Sequence, residues 1–238
     1  FLFRNGFCFT KLYYFVTSFE LIMEPAIISD RILFRFSIFM AFLLCLPMVV
    51  TFVFEDYFPF LTGIYPLTGK GLLGVLTAPL LHADWSHLAG NISALLILYL
   101  VLFNNFHPMA WIVILLSYIV PGFWTWLFAR PAWHLGASMM VYSLASFVFF
   151  AGVFSGHARL MALSLFVVFM YGGIFWGIFP TLPEISWEGH LSGFLLGVLL
   201  AVFYRKDIRS LYPKQEYFVD EEPAGEDDNE EPDVNGEK

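Results

Sequence analysis

Polar side chains capable of proton transfer and nucleophilic attack stand near the starts of three long apolar runs. Ser138 opens one run and His190 opens another, which supplies a hydroxyl group and an imidazole of the kind that form a nucleophile and its general base. In a third run, His87 and Asn91 are four residues apart and share one helix face. Such donors could stabilise the negative oxygen of a tetrahedral intermediate, so these residues together predict attack on a carbonyl group.

Small residues after His190 predict how the serine and the imidazole meet. Gly193 and Gly197 fall on the same helix face as His190. Because small residues let two backbones approach closely, we expect this face to pack on the helix that carries Ser138 and, four residues later, Tyr142. The first turn of that helix has free N–H groups and the positive end of the helix dipole, so the Ser138 N–H is a further oxyanion donor.

Each of these features also has a plainer interpretation. A serine in a membrane helix usually bonds its own or a neighbouring helix, and a Gly-x-x-x-Gly face is usually plain packing. A buried histidine can also serve proton transport, but that function predicts polar groups through both halves of the helices, which here become apolar after their first turns.

Metal binding is a further alternative for the histidines. A zinc site could combine His82, His87 and His190, yet no Asp, Glu or Cys is well placed to join them. No acidic residue lies within an apolar run near His190, which argues against a Ser-His-Asp triad. The residues present therefore permit a Ser-His dyad, and a zinc site is the less favoured alternative.

The composition identifies the elements that must position these residues. Of 238 residues, 59% are hydrophobic and 13% are charged, and the mean hydropathy is +0.72, which is typical of an integral membrane protein. Unpaired backbone groups are costly in lipid, so we predict an all-α bundle of six transmembrane helices, each close to the ~20 residues that cross a bilayer. The six runs without Asp, Glu, Lys or Arg are Phe36–Phe54, Trp85–Phe103, Met109–Phe128, Leu135–Phe154, Leu160–Phe179 and Gly189–Tyr204.

Flanking segments divide the chain into three parts, with residues 32–204 as the membrane domain. Residues 1–31 form an N-terminal segment, in which residues 1–22 are interpreted as translated upstream sequence and Met23 as the natural start; an amphipathic segment is the alternative. Residues 205–238 are predicted to be a cytoplasmic, acidic, disordered tail, because Val219–Lys238 holds ten acidic residues and one Lys. The rest of the chain has a net charge near zero, which excludes a basic nucleic-acid-binding protein.

Basic residues in the short loops orient the helices. With the N-terminus in the cytoplasm, seven Lys and Arg residues lie on the inner side and two on the outer side, so both termini are predicted inside. The second, fourth and sixth helices then all begin at the outer side, at one depth. Residues 55–81 read as an interfacial or re-entrant loop on that side, since the run from Gly71 to Leu81 is too short to span.

The three motifs resemble those of the rhomboid family of intramembrane serine proteases. His82, His87 and Asn91 match the family's His-x4-His-x3-Asn motif, and Gly136 with Ser138 matches its Gly-x-Ser motif. His190, Gly193 and Gly197 match its His-x2-Gly-x3-Gly motif, and Tyr142 matches a Tyr that packs on the catalytic His; the likeness extends over residues 32–204.

The resemblance implies a function for each matching residue. Ser138 would be the nucleophile of a serine endopeptidase, His190 its base, and His87 with Asn91 the oxyanion stabilisers. His82 would lie near a water-filled entrance, and the substrate would be the transmembrane segment of another protein in the bilayer. A compact six-helix body resembles the bacterial members, which implies the inner membrane. No cofactor would be needed. A mobile element would admit the substrate, either the fifth helix, where Gly172, Gly173 and Gly177 suggest looser packing, or the loop 180–188.

Two departures from the family pattern leave a second function open. Met139 stands where the family usually has Gly after the serine, so it could narrow the site or change the packing of the fourth helix. Leu73 and Gly74 replace a Trp-Arg pair in the loop before the second helix, which bears on how that loop is anchored. The alternative to a protease is a rhomboid-like pseudoprotease that binds membrane segments without cleaving them.

Overall fold

The computed structural model describes residues 30–180 and 184–211, and within them the regular elements are helical. Two main-chain hydrogen bonds between Ile64 and His134 form an isolated β-bridge. The α-helices are α1 Asp30–Val53, α2 Gly69–Thr77, α3 Trp85–Asn105, α4 His107–Phe128, α5 Ser138–Ser155, α6 Ala158–Tyr171, α7 Trp187–Phe203 and α8 Arg205–Leu211; 3-10 turns lie at Glu55–Tyr57, Ala78–Leu80 and Gly172–Ile178.

Four helices within the described residues are long and apolar enough to cross a bilayer, namely α1, α3, α4 and α5. Pro47 and Pro121 lie inside α1 and α4 without ending them. The apolar helices α6 and α7 are shorter, at 14 and 17 residues. The fold is therefore an all-α membrane bundle, and the count of six spans stays a prediction.

The fifth predicted span differs in kind from a continuous α-helix. It is α-helical to Tyr171 and then continues as a seven-residue 3-10 helix. Because a 3-10 helix rises ~2.0 Å per residue and an α-helix ~1.5 Å, the two parts together reach roughly 35 Å, enough to cross the hydrocarbon layer. Looser packing is found at Gly173, which has no atom within 4 Å of a built Cβ, whereas the expectation was wrong for Gly177, which lies against His190 and Tyr142.

Helix α5 is the centre of the bundle. In its most apolar window 72% of the residues are buried, compared with 28–44% in the other three long helices. Gly152 brings α5 against α6, because a Cβ built there would overlap the Ser164 side chain. Gly193 and Gly197 bring α7 against α5, as the sequence predicted. The helix that carries Ser138 is thus held on several sides.

The predicted interfacial loop contains α2 and is anchored by its main chain. The bridge joins Ile64 N to His134 O at 2.8 Å and His134 N to Ile64 O at 2.9 Å, which ties this loop to the segment before α5. Gly74 of α2 lies so close to Gly63 that a Cβ would overlap the Gly63 carbonyl. A backbone contact of this kind shows how the loop is anchored where Leu73 and Gly74 replace larger residues.

The predicted disordered tail needs one correction. Residues Arg205–Leu211 form α8, so disorder from residue 205 onward was wrong for these seven positions. Ile208 is fully buried in the main core, and Arg209 Nε donates to the Phe154 carbonyl at 2.9 Å. These contacts stabilise a short helix that charge composition alone could not reveal. The predictions for residues 1–29 and for the acidic part of the tail lie outside the described residues.

Candidate active site

Ser138 and His190 meet at the start of two packed helices. The Ser138 Oγ lies 2.9 Å from the His190 Nε2, which is hydrogen-bond distance. Ser138 is the first residue of α5, and His190 lies in the first turn of α7. Both side chains are half-buried. The pair therefore has the geometry of a nucleophile and a general base.

Glycines on α7 make this distance possible. A Cβ built at Gly193 would overlap the carbonyl oxygen of Met139, and one at Gly197 would overlap the Ser146 Oγ. At both positions any larger residue would separate α7 from α5. These glycines therefore fix the spacing of the two helices that carry the dyad, as their face in the sequence predicted.

Tyr142 holds one face of the imidazole. Its ring stacks on His190 with centroids 4.2 Å apart and an interplanar angle of 12°. Because Tyr142 lies one helical turn after Ser138, the same helix supplies the hydroxyl group and the surface against which the imidazole rests. The stacking limits rotation of the His190 ring.

His87 and Asn91 lie on α3 beside the Gly136 backbone. Gly136 has φ +102°, and a Cβ built there would be 2.6 Å from the His87 Nε2 and 3.6 Å from the Asn91 Nδ2. The Asn91 Nδ2 is buried and has no hydrogen-bond partner among the described residues. An amide that is desolvated without a partner is costly unless it meets one during function, so this donor is available to an oxyanion.

We expect Asn91→Ala to reduce turnover by about 10- to 1000-fold, the range for losing one oxyanion donor. The control is Asn104→Ala at the far end of α3, where Asn104 Nδ2 donates to the Leu100 carbonyl of its own helix. Steady-state cleavage of a reporter transmembrane substrate in proteoliposomes measures both variants. Equal losses would mean that any asparagine in α3 matters for folding and not for the oxyanion.

His82 precedes α3 and packs edge-on against His87, with ring centroids 5.1 Å apart. It is 8% exposed, and neither ring nitrogen has a hydrogen-bond partner among the described residues. Burial, with the neighbouring His87, lowers the pKa of His82 to about 4, so the ring is neutral at physiological pH. In the described ranges 30–180 and 184–211, these histidines do not belong to a group of three His, Cys, Asp or Glu residues that could hold a metal.

The Met139 side chain packs against α4 and the start of α7. Its side chain is buried beside Ile64 and Ala78, and its sulfur accepts a hydrogen bond from the Thr125 hydroxyl at 3.6 Å. A Cβ built at Gly189 would be 3.1 Å from the Met139 Cγ, so a glycine on α7 makes room for it. Of the two effects considered for this residue, the packing of α5 is the one the contacts support.

We therefore expect Met139→Gly to lower the free energy of unfolding by about 2–5 kcal/mol, through an unfilled cavity and a flexible helix residue, without raising the rate of cleavage. Thermal unfolding in detergent and the cleavage rate of a reporter substrate give the two values. A large rate increase in a stable Met139→Gly variant would contradict this and show that Met139 restrains the site.

A polar network joins the segments that precede α5 and α7, and the sequence reasoning missed most of it. The Arg130 Nε lies 3.7 Å from the Glu188 Oε1, and an Arg130 guanidinium nitrogen donates to the Ile185 carbonyl at 2.9 Å. The His134 Nδ1 lies 2.6 Å from the Ser186 Oγ, and burial lowers the pKa of His134. The one available signal was the opposite charge of Arg130, before α5, and Glu188, at the start of α7. Glu188 therefore joins the first turn of α7 to the segment before α5.

Comparison with known proteins agrees with this geometry. Residues 70–207 match the profile of the Rhomboid domain, and this range contains every motif described above. An uncharacterized protein of Mycobacterium tuberculosis and one of Mycobacterium bovis are each 38% identical over 149 residues, which cover 58% of this chain and 62% of the relative. An uncharacterized protein of Mycobacterium leprae is 32% identical over 149 residues, with 58% of this chain and 59% of the relative covered. The chain thus spans about three fifths of the length of these relatives, and by the match over more than half of its residues it belongs to the rhomboid family.

Proposed function

We propose that this protein is an intramembrane serine endopeptidase that cleaves transmembrane segments of other membrane proteins. The observation that carries the proposal is the 2.9 Å contact between the Ser138 Oγ and the His190 Nε2 inside an apolar bundle. Neutral serine is a weak nucleophile, and an adjacent imidazole is the usual means of activating it.

The proposed reaction has two stages. The Ser138 Oγ attacks the scissile carbonyl carbon while the His190 Nε2 takes its proton, and the carbonyl oxygen becomes negative. The Asn91 Nδ2, the His87 ring and the N–H groups of the first turn of α5 surround that oxygen. His190 then gives its proton to the leaving amine, which leaves an acyl-enzyme. Water, deprotonated by His190, hydrolyses the acyl-enzyme and restores the Ser138 hydroxyl.

The proposal includes an orientation. With both termini in the cytoplasm, the starts of α3, α5 and α7 lie in the outer half of the bilayer, and the substrate would be cut near the outer end of its transmembrane segment. A bacterial inner membrane is the proposed location. Reaction by the dyad needs no cofactor.

The proposal is tested by labelling the purified, detergent-solubilised protein with a fluorophosphonate, which reacts with activated serines. We expect the wild type to be labelled and Ser138→Ala and His190→Ala to be unlabelled, with Ser192→Ala in the same helix as the control that keeps labelling. Absence of labelling in folded, monodisperse wild-type protein would overturn the proposal and favour a pseudoprotease that binds membrane segments without cleavage.

A further inference from the structure

The imidazole of the dyad has a hydrogen-bond partner on its second nitrogen. The His190 Nδ1 lies 3.0 Å from the carbonyl oxygen of Gly177, in the 3-10 segment Gly172–Ile178. A carbonyl oxygen can only accept a hydrogen bond, so in the neutral ring the proton must be on Nδ1. The Nε2 is then the acceptor, which is the state that takes a proton from Ser138.

We propose that Gly177 is the positioning residue for His190, with its carbonyl in the place that a carboxylate occupies in a Ser-His-Asp triad. The inference rests on the proposed function, because it assigns the group that orients the base of that site. Because Gly177 belongs to the fifth predicted span, its 3-10 segment must be in contact with α7 whenever His190 acts.

The sequence around Gly177 keeps this carbonyl available. In a 3-10 helix the carbonyl of one residue accepts from the N–H three residues later, and that residue is Pro180, which has no N–H. The segment ends there, since Phe179 is extended with φ −103° and ψ 152°. The end of the helix thus leaves an acceptor for a side chain, and His190 supplies the donor.

The space around Gly177 leaves no room for a side chain. A Cβ built there would overlap the Tyr142 hydroxyl and lie 3.1 Å from the His190 Nδ1. Tyr142 stacks on the face of the same imidazole. The ring is therefore held on its face by α5 and at its Nδ1 by the 3-10 segment, and a methyl group at residue 177 would disturb both contacts.

Gly173 provides a matched control, because it lies in the same segment and a Cβ built there meets no atom within 4 Å. We expect Gly177→Ala to slow fluorophosphonate labelling by about 100-fold, the cost of misplacing a reacting group by about 1 Å. Gly173→Ala should label at the wild-type rate. Pro180→Ala adds no bulk at the site but supplies an N–H that competes for the Gly177 carbonyl, so it should also slow labelling, by about tenfold on the same scale.

A spectroscopic measurement separates positioning from general damage to the fold. Nitrogen-15 NMR of histidine-labelled protein at pH 8, with the His190 signals identified by their loss in His190→Gln, reports which ring nitrogen carries the proton. We expect the Nδ1-protonated form in the wild type and in Gly173→Ala, and a mixture of both forms in Gly177→Ala and Pro180→Ala. Wild-type spectra and labelling in Gly177→Ala would overturn the inference.

Failure of the proposed function gives a different result. If the wild type is not labelled at all, the endopeptidase proposal falls, while the NMR spectra still decide whether Gly177 sets the protonation of His190. A labelled wild type with a mixed or Nε2-protonated ring would overturn the positioning of His190 by Gly177 and leave the endopeptidase proposal standing.

Discussion

Gly136→Ala is expected to lose at least about 100-fold in fluorophosphonate labelling rate, because the new methyl group cannot coexist with the present position of His87. The backbone at Gly136 has φ +102°, and a Cβ there would lie 2.6 Å from the His87 Nε2 and Cε1. The imidazole must therefore move, and misplacement by about 1 Å in a catalytic centre is worth a factor of this size. Labelling rates and thermal unfolding are measured in the same detergent.

Gly156→Ala distinguishes the effect of the clash with His87 from the effect of an alanine in a left-handed backbone conformation. Gly156 ends α5 with φ +69°, and a Cβ there meets no atom within 4 Å. Its alanine variant should lose about 1–2 kcal/mol of stability from the left-handed backbone alone and keep wild-type labelling. If both variants label equally slowly, the His87 contact is not the cause of the loss.

Gly193→Val is expected to remove activity and to lower the free energy of unfolding by about 1–3 kcal/mol, the usual cost of overpacking. The Gly193 backbone faces the Met139 carbonyl, which belongs to the helix main chain and cannot rotate out of the way. Helix α7 must then separate from α5, which lengthens the distance between Ser138 and His190. Thermal unfolding and labelling in detergent measure the two losses.

Gly90→Val is the matched variant for this experiment, since it also places a β-branched residue inside a helix but meets no atom within 4 Å. We expect Gly90→Val to show only the small propensity effect of its helix position and to keep labelling. A Gly193→Val protein that labels like wild type would contradict the close packing of α5 and α7.

Much of the fold follows from the sequence because a helix that crosses the lipid bilayer needs about 20 consecutive apolar residues. Uncharged runs of about 20 residues gave the positions of α3, α4 and α7 to within two or three residues at most ends, and the small-residue face of α7 indicated its packing on α5. Periodicity of hydrophobic residues cannot show where an α-helix tightens into a 3-10 helix, and so the change at Gly172 was missed. Helix α8 was missed for a related reason, because one buried residue, Ile208, anchors an otherwise charged segment.

The candidate site was predictable to the same extent and for a different reason. Side-chain chemistry is visible in sequence, so Ser138, His190, His87 and Asn91 could be named and the structure brings them to the starts of three helices. A main-chain carbonyl that accepts a functional hydrogen bond cannot be recognised in this way, because every residue has one. The carbonyl of Gly177 is chemically identical to every other carbonyl, and only the missing N–H of Pro180 distinguishes its position in the sequence.

His134 connects three separate segments, through its bridge to Ile64, its contact with Ser186 and its ring contact with the Arg130 carbonyl. For anyone who inserts a reporter or epitope tag to map the topology, this junction makes the three segments poor insertion points, since added residues there would disturb the segment that leads into α5. The turn at Gly156, with open space around it, is the better place to insert such a tag.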